Sequence, residues 1–171
     1  AVFSAFVEGV CLFSSFAILL HFSSRNLLKG ISQIISYSIR DESMHSEAGC
    51  WLYRTLLDES ITKLDKNSKN EIYEACNIMI DTELKFIDSV FANGEIEGLS
   101  SYDLKEFIKQ RANTKLKDIK LKPQFEVDKK AAEKITDWFD VRSSGKQISD
   151  FFAQRPTDYS KGATNGDWDD I

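Results

Sequence analysis

A chain of 171 residues with 42% hydrophobic and 29% charged residues has the balance of an ordinary globular domain and enough length to bury a sizeable core. Its net charge of −5 argues against nucleic-acid binding, which needs a basic face. The three cysteines, Cys11, Cys50 and Cys76, are odd in number and lack a Cys-x-x-Cys, so neither a disulfide framework nor a thiolate zinc site is expected; they read as reduced thiols of a cytoplasmic protein.

Taken in chain order, the pattern is helical throughout, with no strand-like alternation of any length. Val2 to Phe22 forms an apolar first helix about as long as a membrane span. Glu8 lies inside it and no basic segment precedes it, so a helix buried within a helical protein fits better than a membrane or signal segment. The chain opens on Ala1 as if within a helix, which suggests a fragment, a processed product or one piece of a split protein. Ser23 to Asn26 is a polar break. Leu27 to Leu57 forms a long second helix whose apolar positions Ile31, Ile34, Ile35, Ile39, Leu52 and Leu56 recur at helical spacing. Asp58 to Lys69 reads as a polar connection. Asn70 to Phe91 forms a third helix, with Tyr73, Cys76, Met79, Ile80, Leu84, Ile87 and Phe91 on its apolar face and Ala92-Asn93-Gly94 as its stop. Ser100 or Ser101 caps a fourth helix, Tyr102 to Ile119, and a shorter one runs from Asp128 to Phe139. Beyond Arg142 the composition turns polar, with Phe151, Phe152, Tyr159 and Trp168 scattered in it. This marks residues 1–142 as the folded domain and 143–171 as a flexible tail, too polar to fold alone and suited to docking on a partner.

One constellation carries chemistry. Glu42 and His45, in Arg40-Asp41-Glu42-Ser43-Met44-His45, are three residues apart and project from one helix face roughly 60° apart. Dimetal carboxylate bundles use a Glu-x-x-His on each of two helices and a Glu from each of two others. Glu8, a lone carboxylate on an apolar helix, is costly to bury unless it binds a metal, and Leu12 and Phe16 share its face. The other histidine, His21, falls roughly 220° round the first helix from Glu8 and points elsewhere. One Glu and one Glu-x-x-His make half a site, so another polypeptide is expected to supply the rest.

VEGVCLFSSFA followed by IRDESMHSEAG resembles the second half of the small, radical-generating subunit of ribonucleotide reductase, as found in phage or bacteria, with a matching separation of 34 residues between Glu8 and Glu42. GEIEGLSSYDLKEFIKQRANTKLKDI is similar to that family's later helices, and DFFAQRPTDYSKG to the start of its C-terminal tail. The resemblance implies an all-α, ferritin-like bundle, here half of it, and a dinuclear iron or manganese–iron site with Glu8, Glu42 and His45 as the ligands from this half. It implies that Asp41 hydrogen-bonds a ligating histidine of the other half and carries radical transfer. It assigns Tyr159 to the radical's exit, and Trp168 and Ile171 to anchoring on the large subunit. The implied partners are an N-terminal half, the large catalytic subunit and a second assembled small subunit. Trp51 and Trp138 do not take the relay role, which belongs to the absent half, and Leu12 and Ser38 stand where bulkier apolar residues are expected around the metals. The competing readings are another ferritin-like dimetal oxidase or iron-binding protein, and a non-enzymatic helical or membrane protein.

Overall fold

A computed structural model of the chain describes residues 2–59 and 64–143. All regular structure among these residues is helical: a π-helical segment at Phe3–Val7, then α1 (Phe13–Ser24), α2 (Lys29–Glu59), α3 (Lys66–Val90), α4 (Ser101–Asp118) and α5 (Lys129–Ser143). This is the all-α architecture of a ferritin-like subunit. Tyr159, Trp168 and Ile171, and with them every position of the expected 143–171 tail except Ser143, lie outside the described residues.

The first expected helix is not one helix. The π segment ends at Val7, the backbone turns through residues 8–12, and α1 begins only at Phe13. Leu12 sits in the left-handed region at φ 72°, which costs a side chain with a Cβ about 1–2 kcal/mol. No helix among the described residues is long and apolar enough to cross a membrane. The third helix starts four residues earlier than its apolar spacing suggests, because Asp65 caps it by accepting from Ser68 N at 2.7 Å. Ser100 caps α4, accepting from Tyr102 N at 3.2 Å.

The core lies where α1, α4 and α5 meet. Phe13, Phe107 and Phe139 are almost fully buried, with the Phe139 ring centroid 6.0 Å from Phe13 and 5.2 Å from Phe107. Each such side chain contributes about 1.5–3 kcal/mol of transfer free energy. From α3, Cys76, Ile80 and Ile87 close the same core, as their spacing suggested. The three cysteines are free; Cys50 and Cys76 are buried and Cys11 partly so. The irregular α4–α5 connection is held by Asn113, whose Oδ1 accepts from Gln124 N at 3.0 Å and Phe125 N at 3.1 Å. Buried Glu106 adds a tie, accepting from Asp128 N at 2.8 Å.

Along α2 the outcome differs from the simple reading of its spacing. Ile39 is buried and Ile35 partly buried, but Ile31, Ile34, Leu52 and Leu56 are exposed, Ile34 by 64%. The helix therefore carries two apolar faces, and only one of them is covered by the described residues.

Candidate metal centre

Two points of close approach set the π segment against α2. A Cβ on Gly9 would fall 2.6 Å from Ser46 Oγ and 2.9 Å from Lys115 Cδ, too close for any real side chain. A Cβ on Gly49 would overlap the side chain of Ser4. The two glycines let the backbones come near enough for Glu8, at the end of the π segment, to reach the middle of α2. There it meets Glu42 and His45. One ligand atom from each of the three lies within 4.8 Å of the others, and they are the one such cluster of acidic, imidazole or thiol groups among the described residues. Nδ1 of His45 is 4.0 Å from Oε2 of Glu42.

Glu8 and Glu42 are partly buried and His45 is exposed. Two carboxylates and an imidazole suit a hard or borderline divalent cation, and the mutual distances fit three donors around one ion. The cluster opens outward: the His45 side chain is 54% exposed. It also sits on the uncovered apolar face. Ile31, Ile34, Ser38, Glu42, His45, Leu52 and Leu56 follow one another along α2 in steps of three, four or seven residues, a single helical stripe. Asp41, beside Glu42, is exposed on the same flank.

Other sequence expectations fare differently. His21 takes no part in the cluster; it is buried, and its Nε2 lies 2.9 Å from the carbonyl oxygen of Glu97, tying α1 to the α3–α4 connection. Leu12 and Phe16 do not share a helix face with Glu8, because the chain is not helical between them. Phe16 is buried with its ring 5.5 Å from Phe13, whereas Leu12 is 53% exposed. Ser38 is partly buried, on the stripe beside the cluster. Trp51 is exposed, and Trp138 packs 6.0 Å from the His21 ring.

Two charged residues escaped the sequence reading. The turn at residues 8–12 frees backbone groups that an unbroken helix would pair. Phe13 N–H bonds to Val10 O rather than to Gly9 O. The Gly9 carbonyl instead accepts from Arg111 of α4, at 3.0 Å from Nη2 and 3.3 Å from Nε. The Leu12 N–H donates to Oε1 of Glu83 of α3 at 3.3 Å, and Ser14 Oγ donates to the other oxygen. Glu83 is buried, and the Arg111 guanidinium stacks 3.5 Å from the Phe13 ring centroid. Burial pulls the Arg111 pKa down to about 10, against the pull of Asp140 and Asp118, so it stays protonated at neutral pH.

A family model described as the ribonucleotide reductase small chain matches residues 1–133. The chain belongs to that family. Among its curated relatives, the probable ribonucleoside-diphosphate reductase small subunit 048L of Invertebrate iridescent virus 3 is 33% identical over 98% of this chain and 44% of the relative. The corresponding probable subunit 376L of Invertebrate iridescent virus 6 is 29% identical over 100% of this chain and 53% of its own length. The ribonucleoside-diphosphate reductase subunit beta of Chlamydia pneumoniae is 25% identical over 95% and 45%. The chain thus spans about half the length of the small-chain relatives it matches.

Proposed function

We propose that this chain supplies Glu8, Glu42 and His45 to a dinuclear iron or manganese–iron centre of a cytoplasmic ribonucleoside-diphosphate reductase small subunit, which makes the radical used to reduce ribonucleotides to deoxyribonucleotides. The remaining ligands come from a second stretch of polypeptide, equivalent to the N-terminal half of the relatives, laid along the α2 stripe. The observation that carries this reading is the coincidence of ligands and apolar surface: the three donors converge, and Glu42 and His45 lie in line with exposed Ile31, Ile34, Leu52 and Leu56. A surface of that composition favours burial, at about 25 cal/mol per Å². Covering it would also place new donors opposite the cluster and remove water from it.

When bound, the metal centre supplies O₂-dependent one-electron oxidation. This chain's residues hold and enclose it. Glu8 and Glu42 give two carboxylates from two elements fixed against each other at Gly9 and Gly49, and His45 adds a neutral donor one helical turn along. Asp41, exposed on the same flank, is suited to accept a hydrogen bond from a ligating imidazole across the interface and to hold its proton as an electron passes. Tyr159 then passes the radical on to the large catalytic subunit, with Trp168 and Ile171 as anchors, and two assembled small subunits pair as a dimer.

The test is to co-express the chain with the N-terminal half of the iridescent-virus relative, add Fe(II) and O₂, and record the EPR spectrum. A tyrosyl radical that is lost in Glu42→Ala is expected. Metal uptake that is the same in wild type and Glu42→Ala would refute the assignment. A metal-dependent oxidase activity insensitive to removal of residues 150–171 would favour a different dimetal protein.

A further inference from the structure

Buried Glu83 and half-buried Arg111 belong to neither the ligand set nor the radical route, yet both end on the five residues that carry Glu8 out of its helix. A helix broken by a π segment and a left-handed residue leaves a carbonyl and an N–H without helical partners. Here the freed carbonyl of Gly9, adjacent to Glu8, meets a guanidinium from α4, and the freed N–H of Leu12 meets a carboxylate from α3. The two charges come from different helices and grip opposite ends of the turn. The turn's own backbone hydrogen bonds, Cys11 N–H to Phe6 O at 2.9 Å and Phe13 N–H to Val10 O at 3.2 Å, are opposed by the positive φ that leucine disfavours at position 12. Ser14 adds its hydroxyl to the second Glu83 oxygen, which fixes the carboxylate at the start of α1. The Arg111 guanidinium carbon lies over the Phe13 ring, so its fork is held by packing as well as by hydrogen bonds.

We infer that Glu83 and Arg111 are positioning residues that hold the Gly9–Leu12 turn from outside and so fix Glu8 in its metal-binding pose. This rests on the metal reading given above. Without the clamp, the cheapest relaxation of the turn is a return to regular helix. That return rotates and shifts position 8 relative to Glu42 and His45, which are anchored independently on α2.

The probe is Co(II), whose visible absorption reports carboxylate and imidazole coordination, titrated into the full chain. In Glu83→Ala and Arg111→Met the apparent affinity is expected to fall about 10–100-fold, the range typical of lost ligand-orienting partners. Glu83→Gln keeps an acceptor for Leu12 N–H and an amide that can donate to Ser14 Oγ, and it should bind nearly as wild type. Adding Leu12→Gly to Glu83→Ala removes the penalty at positive φ and should restore part of the affinity. Ile135→Ala, a core truncation in α5, is the control for general destabilisation. Hydrogen exchange of the metal-free chain should show faster exchange at residues 8–14 in Glu83→Ala, with the α2 amides unchanged. The inference is overturned if Glu83→Ala and Arg111→Met bind Co(II) like wild type, or if Ile135→Ala loses as much affinity as they do. It is overturned too if Glu83→Gln, which preserves size and stability best, falls as far as Glu83→Ala. A wild-type chain that takes up no Co(II) alone would overturn the inference that its own fold holds Glu8 ready for metal, whereas the shared-centre reading is refuted separately, by metal uptake in the co-expressed complex that Glu42→Ala leaves unchanged.

Discussion

Alanine at position 49 would set a methyl group well inside 3.0 Å of both Cβ and Oγ of Ser4. Ordinary van der Waals spacing is about 3.5–4.0 Å, so the π segment and α2 must part by roughly an ångström at that point. Ser4 and Glu8 lie on the same short stretch, one turn apart, and the displacement is carried to the ligand. Metal–ligand distances tolerate only about ±0.2 Å. Overpacking of this kind costs about 1–3 kcal/mol, which corresponds to a factor of about 5–150 if it is taken from metal binding rather than from folding. Co(II) titration and urea unfolding of the same samples separate the two. The expected outcome for Gly49→Ala is a large loss of Co(II) affinity with a smaller loss of stability, and recovery of both in Ser4→Gly/Gly49→Ala. Full Co(II) affinity in Gly49→Ala, or no recovery in the double variant, would refute the idea that this crossing sets the ligand geometry.

Phe139→Ala should lower the unfolding free energy by about 3–5 kcal/mol in urea titrations, since the ring is 1% exposed between Phe13 and Phe107. Asp65 is held below its ordinary pKa by the Ser68 backbone N–H it caps. Its contribution is therefore complete above the ordinary carboxylate range and lost as pH falls through the lowered value, so the Tm gap between wild type and Asp65→Ala should close from about pH 4 downward. A gap that widens on acidification would contradict the cap. Burial pushes the Cys76 thiol up to about 12, so roughly one molecule in ten thousand is ionised at pH 8. Mass spectrometry after iodoacetamide should find Cys76 and the equally buried Cys50 unlabelled until urea is added, with the partly exposed Cys11, pushed up to about 11 by burial and by Glu83, labelled slowly.

The five-helix plan was legible because each helix past the first is punctuated by residues with local physical effects: the polar break before Leu27, Asn93-Gly94, and the Ser100 cap. The convergence of Glu8 with Glu42 and His45 was legible because Glu42 and His45 are three apart on one helix, and because Glu8 is conspicuous in apolar surroundings. The break at residues 8–12 was not, since apolar spacing cannot distinguish a π segment and turn from a continuous helix, and leucine gives no warning of a positive φ. Glu83 and Arg111 read as ordinary helix charges. Their partners are backbone groups 71 and 102 residues away, visible only once the chain is folded. On α2, spacing identified apolar positions but could not say which of two stripes the described residues cover. The early start of α3 was hidden because Lys66-Asn67-Ser68-Lys69 is polar, while the cap that begins it is a single aspartate.

The alignment of Glu42 and His45 with the uncovered stripe of α2 has a kinetic side. Under the proposed reading, a cation resting on the bare chain would face water and exchange as readily as any hydrated surface ion. Once the stripe is sealed, the ion could leave only when Ile34 and Leu52, on either side of it, part from whatever covers them. Its residence time would then be governed by the opening rate of an apolar seam rather than by ligand strength, and the same opening would set the rate of loading.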